Sequence, residues 1–451
     1  MTFLGTIRTN AAIRRLTVVG LFGLIVSSCA FSRLKEDVKT GDNSCILDIR
    51  LEMDDDVSGK AIVVIYTPYK DGQRIAGFKV IDPAVKRTLF LLDPGNYRAA
   101  VFHDRDGNLN IDPGEPAVLL EKGRRLKFSD VVKRITLEIS LPEEGELPPE
   151  YPRELATLPD AVKTEFHLAI GDLMDLDSPR FSKETGKMGL WEPTRFLKEY
   201  GSGIYMLEPY DPHRVPVVFV NGAGGSAQNW RYFFDHLDKS HYQAWFYLYP
   251  SGARISKLGN TLNVMIRAMA EKYNASLVHV VAHSMGGLVA REAIVRQLEE
   301  DKPLLVGQFV SISTPWNGHR MAEKGVSTLD TPVPSWHDVV PGSKFLQTVF
   351  QTRLKGRLPH HLLFGYQVGS EGDGSVDLNS VLLTEAQDDA VEVRGFEANH
   401  VSILSMELVL EYVENILSSD VPDSTASSTA GVESEEPAQP EPCTPCPAIV
   451  E

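Results

Sequence analysis

The chain has 451 residues, of which 43% are hydrophobic and 24% charged, and a formal net charge of -16. That length exceeds one ordinary hydrophobic core and implies two domains with extensions, at the composition of a globular protein. The acidic balance argues against nucleic acid as a partner and against electrostatic adhesion to an anionic membrane.

The first element is a leader. Arg8, Arg14 and Arg15 precede an apolar run over 16–26, which ends in Val26-Ser27-Ser28-Cys29. A basic stretch, a short apolar run and small residues before a break describe an export signal over 1–29, too short for a comfortable membrane span. The stretch resembles the lipobox of bacterial lipoproteins, whose cysteine is acylated and becomes the first residue of the mature chain; an ordinary signal peptide with a chance cysteine is the alternative. The resemblance implies lipid attachment at Cys29, palmitate among the acyl chains, and anchoring in a bacterial cell envelope without a spanning helix. Ala30 follows where an inner-membrane lipoprotein would carry Asp, which points to the outer membrane.

Residues 44–140 alternate like strands in seven short runs separated by turn signals such as DGQ, DPGN and DPGE. That spacing predicts a small all-β, sandwich-like module. Within it, DRDGNLNIDPGE places oxygen side chains at Asp104, Asp106, Asn108, Asn110, Asp112 and Glu115, an alternation by which a loop wraps calcium. Leu109 stands where an EF-hand loop needs glycine, and flanking strands replace the helices, so a polar hairpin turn is the competing reading. Residues 141–153, LPEEGELPPEYPR, read as a linker, and 154–212 as an irregular, partly helical lead-in. Cys45 has no evident partner, and Cys443 and Cys446 lie in a tail over 418–451 with seven acids and no Lys or Arg, read as disordered.

From 213 to 417 the pattern changes. Apolar strands (VPVVFV, QAWFYLY, LVHVVA, VGQFVSI, LLFGYQV, AVEVRGF) alternate with helical stretches such as 258–273 and 285–299. Such alternation predicts a mostly parallel sheet with helices on both faces. VAHSMGG, 281–287, then sets Ser284 between a strand and a helix, with small Ala282, Gly286 and Gly287 around it. A serine hydroxyl becomes a nucleophile only when a base takes its proton and the site stabilises an oxyanion, and a tight strand-to-helix turn serves both needs. The pattern is the nucleophile elbow G-x-S-x-G with Ala282 in its first glycine position. It resembles the α/β-hydrolase superfamily, especially bacterial lipases and esterases, and is similar also to the GPI-inositol deacylases.

The resemblance implies the rest of the site. NGAGGSAQNW, from Asn221, resembles the lipase oxyanion loop with Asn in place of His, which makes the backbone N–H groups of Ala223 and Met285 the oxyanion donors. A phosphate loop is disfavoured there, since no Lys follows. GSEGDGSVDLNS after LLFGYQV matches the lipase G-D-G-x-V pattern at Asp373, with Asp377 as the fallback acid. His400, in EANHVSIL after the last strand, takes the position of the base; His319, His337, His360 and His361 occupy other places. The segment from Ser313 matches the T-P-x-x-G turn and that from Val339 a proline-glycine-serine stretch. The cap between them carries Trp316, Met321 and Trp336, which line an acyl pocket or simply pack.

These readings predict a lipid-anchored serine hydrolase of carboxylic esters, a lipase or esterase using Ser284, His400 and Asp373 through an acyl-enzyme and needing no cofactor. A phospholipase or an acyltransferase would use the same triad. The reading from another class is a binding lipoprotein of the envelope built on a hydrolase fold without activity.

Overall fold

A computed structural model describes residues 34, 35, 37, 45–52, 58–70, 72–81, 86–92, 94–128, 134–156 and 168–419. The leader with Cys29, and residues 420–451 of the expected tail with Cys443 and Cys446, lie outside the described residues.

The N-terminal module holds two sheets. One orders Arg87–Leu92, Cys45–Glu52 and Arg134–Ser140; the other orders Gly72–Ile81, Lys60–Tyr69, Gly95–Asp104 and Ala117–Leu119, with Leu126–Phe128 also paired to Gly95–Asp104. All pairs are antiparallel except Cys45–Glu52 with Arg134–Ser140, which run parallel. Successive residues of a strand point to opposite faces, so Lys60–Tyr69 feeds two cores at once. Ala61, Val63 and Ile65 meet Leu47, Ile49 and Leu137 between the sheets. Ile62, Val64 and Tyr66 face the other way, toward Leu147, Tyr151 and Leu155.

That second core corrects the linker reading of 141–153. Leu147, Tyr151 and Leu155 are buried, Ala117 N–H donates to the Gly145 carbonyl (3.0 Å), and Ile111 N–H donates to the Arg153 carbonyl (3.0 Å). Tyr66 and Arg98 add side-chain bonds to the Pro152 carbonyl (3.1 Å) and the Tyr151 hydroxyl (2.6 Å). The segment is the outer wall of the module.

The second domain is built on eight strands: β1 (Leu168–Leu173), β2 (Ser202–Met206), β3 (Val215–Val220), β4 (Tyr242–Leu248), β5 (Val278–His283), β6 (Val306–Ile312), β7 (His360–Tyr366) and β8 (Glu392–Glu397). Their order across the sheet is β8-β7-β6-β5-β3-β4-β2-β1. β2 runs antiparallel to β4 and every other neighbouring pair is parallel. This is an α/β-hydrolase fold. β1 and β2 come from the segment expected as an irregular lead-in, which also supplies α1 (Lys183–Trp191) and α2 (Pro193–Tyr200).

β3 and β5 are continuous apolar runs because both faces are covered. Val218, Val220, Val280 and Ala282 pack with α3 (Ile255–Tyr273) and α4 (Met285–Glu299) on one side. Val217, Phe219 and Val281 pack with α5 (Glu407–Leu417) on the other. Among the described residues no helix is long and apolar enough to cross a membrane.

Candidate active site

Parallel strands open a crevice at their carboxyl ends, and the expected residues fall there. Ser284 follows β5 at φ 54, ψ -132, a conformation sparsely populated outside glycine and costing about 1–3 kcal/mol. Its N–H donates to the Ile312 carbonyl at the end of β6 (2.8 Å), which holds the turn in place. The small neighbours are required by contact. A methyl on Gly286 would lie 2.4 Å from the Asn221 carbonyl oxygen and 2.6 Å from that of Val220, and one on Gly222 would lie 2.7 Å from the Ser284 Cβ. The strain thus lifts the hydroxyl off the sheet while the glycines let the two loops touch.

Ser284 Oγ lies 2.9 Å from His400 Nε2, and His400 Nδ1 lies 2.7 Å from Asp373 Oδ2. The carboxylate accepts only, so the proton on Nδ1 points to it and Nε2 is left to accept from the serine. Asp373 Oδ1 accepts from Ser375 N–H (2.9 Å) and Val376 N–H (2.7 Å). Burial pushes this carboxyl up, but the bonds and charge of His400 and the two amides outweigh it and leave it below its ordinary value. It is fully ionised near neutral pH in a place closed to water, while Ser284 and His400 remain half-buried and reachable.

The backbone of His400 is also held. Its N–H donates to the Asp373 carbonyl (2.9 Å), and its carbonyl accepts from His283 Nε2 (2.8 Å). Burial, first, and the neighbouring His400 lower the His283 pKa to about 3, so it stays neutral with its proton on Nε2. His283 carries no motif of its own in the sequence; its position directly before Ser284, at the end of a buried strand, is the available signal.

The second glycine loop packs against the elbow, where a methyl on Gly222 would also lie 3.2 Å from Ser284 Oγ. Gly224 N–H donates to Ser251 Oγ (2.9 Å) and Gly225 N–H to the Gly222 carbonyl (3.1 Å). Met285 opens α4, whose first amides have no intrahelical partner. Asn221 donates its side-chain N–H to the Gly222 carbonyl (2.8 Å), bracing the loop from within, and Tyr249 donates its hydroxyl to the Asn221 carbonyl.

The other candidates take other partners. Asp377 pairs with Arg320 (2.9 Å) and precedes a short helix, while Asp373 takes the bond to His400. His319 accepts Met321 N–H (3.2 Å) as a helix cap, and His360 and His361 are buried in β7. Trp316 is wholly buried against Phe350 and His360, so it is core; Met321 is exposed, and Trp336 stacks edge-on against Trp191 of α1 at 5.5 Å.

In the N-terminal module the calcium pattern comes together in part. Asp104, Asp106 and Glu115 bring carboxylate oxygens within 4.8 Å of one another. Leu109 adopts φ 68, the turn a glycine would make, and its N–H donates to Asp104 Oδ2 (3.2 Å). Asn110 leaves the set: its Oδ1 accepts the N–H groups of Leu155 (3.1 Å) and Ala156 (3.2 Å) and ties the loop to the returning chain. The Asn108 amide donates to Asp106 (2.9 Å) and Asp112 (2.6 Å).

The chain is similar to several solved structures. These include the mature lipase BlEst2 of Bacillus licheniformis, at 20% identity and TM-score 0.40, covering 48% of this chain and 97% of that one. They include a Listeria innocua gene product at 14% identity and TM-score 0.38, covering 47% and 96%. A carboxylesterase of the thaumarchaeon Nitrososphaera gargenis follows at 14% identity and TM-score 0.34, covering 49% and 95%. No curated protein matches the chain. Residues 213–349, which hold the glycine loop from Asn221 and the turn at Ser284, match the family model described as "Putative serine esterase (DUF676)".

Proposed function

We propose that this chain is a serine hydrolase of carboxylic esters. The observation that carries the reading is the unbroken relay from Ser284 Oγ to His400 to the buried Asp373, at 2.9 and 2.7 Å, on a strained elbow.

The chemistry follows from the atoms. His400 Nε2 takes the hydroxyl proton as Ser284 Oγ attacks the ester carbonyl carbon, and Asp373 stabilises the imidazolium so formed. The carbonyl electron pair moves onto oxygen, which the amides of Ala223 and Met285 receive. His400 then gives its proton to the leaving alkoxide, leaving an acyl-serine. Water attacks that ester with His400 again as base, and the acid departs as Ser284 recovers its proton. No step calls on a cofactor.

Within this reading the substrate is a lipid ester, and the enzyme sits in a bacterial cell envelope through acyl chains on Cys29. A phospholipase differs only in head group, and an acyltransferase only in the nucleophile that resolves the acyl-serine. A binding lipoprotein without activity has no need of three aligned residues held by separate loops. A fluorophosphonate probe tests the reading: one probe molecule adds to the wild-type protein and none to Ser284→Ala, whereas equal labelling of both would remove Ser284 as the nucleophile.

A further inference from the structure

The loop that carries His400 closes on itself but is aimed from outside. Its start is pinned at Ala398, whose N–H donates to the Tyr366 carbonyl (3.0 Å), and its end by buried Ile403 and Leu404. Between them Asn399 Oδ1 accepts the N–H groups of Val401 (3.1 Å) and Ser402 (2.8 Å), and Ser402 Oγ accepts that of Asn399 (3.1 Å). Those bonds shape a turn without saying where it points. Asn399, Val401 and Ser402 are exposed, whereas the His400 side chain is only 15% exposed. Two bonds on the His400 backbone set its direction: its N–H to the Asp373 carbonyl (2.9 Å), and its carbonyl from His283 Nε2 (2.8 Å).

His283 is placed for that bond by the sheet. It is the last residue of β5, in register with Ile312 of β6, whose carbonyl also holds the Ser284 N–H (2.8 Å). Side chains alternate along a strand, so His283 follows Val281 onto the face where Ile403 and Leu404 pack. Its ring lies 4.6 Å from that of His400 and meets Trp230 edge-on at 6.3 Å. A carbonyl only accepts, so the His283 proton sits on Nε2. Two connections therefore join nucleophile, base and acid. One runs through side chains, from Ser284 Oγ to His400 to Asp373 Oδ2. The other starts one residue before the nucleophile, at His283, crosses the His400 backbone and ends on the Asp373 carbonyl.

We propose that His283 is a positioning residue for this reaction: its Nε2–H fixes the His400 backbone so that the imidazole is delivered in line between Ser284 and Asp373. The proposal rests on the esterase reading above. His400 is the base in both acylation and deacylation, so a loosened His400 slows the two steps together. kcat then falls while KM, which depends on their ratio, stays in place.

The test separates the donor from the ring in the full-length protein. His283→Gln keeps an N–H donor and loses the ring, whereas His283→Phe keeps a ring and loses the donor. His283→Leu loses the donor on a more pliable side chain and carries the same test if the phenyl ring is not accommodated. With p-nitrophenyl butyrate, kcat should fall about 10–100-fold in the Phe and Leu variants, with KM within about twofold, and stay within about threefold of wild type in the Gln variant. The proton between His400 Nδ1 and Asp373 supplies a second readout, as a low-field NMR resonance. It should shift or broaden in the Phe and Leu variants and persist in the Gln variant, which a space-filling role for His283 would not produce. Wild-type kcat or an unchanged resonance in both donorless variants overturns the proposal, as does a loss in the Gln variant equal to theirs. A wild-type protein that turns over no ester would defeat the esterase reading instead, and the resonance, which needs no substrate, still decides the role of His283.

Discussion

Asp373→Asn is expected to lower kcat about ten-thousandfold with the fold intact, a loss of about 5.5 kcal/mol of transition-state stabilisation. The magnitude comes from the way both carboxylate oxygens are used. Oδ1 accepts from Ser375 and Val376 N–H groups at 2.9 and 2.7 Å, so an amide there must keep its oxygen on that side. Its NH2 group then faces His400 Nδ1, now 2.7 Å from a donor rather than an acceptor. The imidazole answers by moving its proton to Nε2, where it can no longer accept from Ser284. The loop itself keeps both amide bonds, so the melting temperature changes little. Asp377→Asn is the matched control: its partner is Arg320 at the surface, and kcat should stay within about threefold of wild type. The assay is steady-state hydrolysis of a soluble p-nitrophenyl ester with the melting curve of each variant. An Asp373→Asn enzyme within tenfold of wild type, or a larger loss in Asp377→Asn, would refute the assignment.

Three further outcomes follow from the structure. Burial holds His283 and His360 at about 3 and His279 at about 4, against an ordinary value of 6.5. Below pH 6.5 the unfolded chain takes up protons that the folded chain refuses, so this stability is complete above pH 6.5 and drains away as pH falls toward 3; a urea midpoint that is flat from pH 7 to 4 would contradict it. Gly286→Ala should cost about 3 kcal/mol or prevent folding, since the new methyl meets two backbone oxygens at 2.4 and 2.6 Å; a loss under about 1 kcal/mol by urea denaturation would count against the elbow packing. Arg291 and Asp389 form a pair at 2.6 Å with both side chains fully buried, so Arg291→Met leaves an uncompensated carboxylate and should cost about 3–5 kcal/mol; a loss under about 1 kcal/mol by urea denaturation would show that the pair is dispensable.

The parts of the molecule legible in the sequence are those whose signals are local. β3 to β8 are apolar runs a few residues long, and Ser284 announces itself by small neighbours that the turn requires at those positions. Asp373 and His400 were placed by the resemblance, since nothing in the spacing of residues 284, 373 and 400 says that three loops converge. What stayed hidden depends on partners far along the chain. β1 and β2 are short and interrupted by Gly171 and Gly203 at positive φ, so their alternation fades. Leu147, Tyr151 and Leu155 sit sparsely among Pro and Glu, and only the face of Ile62, Val64 and Tyr66 reveals them as core. Asn110 has the spacing of a calcium ligand, yet its partners are amides 45 and 46 residues later. Asp37 looks like any acid in the sequence until its carboxylate is seen to accept the N–H groups of Thr194 and Arg195 at the start of α2.

The measurement that bears most directly on the central claim is hydrolysis of a chain-length series of p-nitrophenyl esters by the protein lacking residues 1–29, beside Ser284→Ala. The account predicts turnover by the first protein, with a preference for longer acyl chains, and a fall of at least about a thousandfold in the variant at unchanged melting temperature. Equal rates from the two proteins, or no turnover by the first even with detergent present, would contradict it.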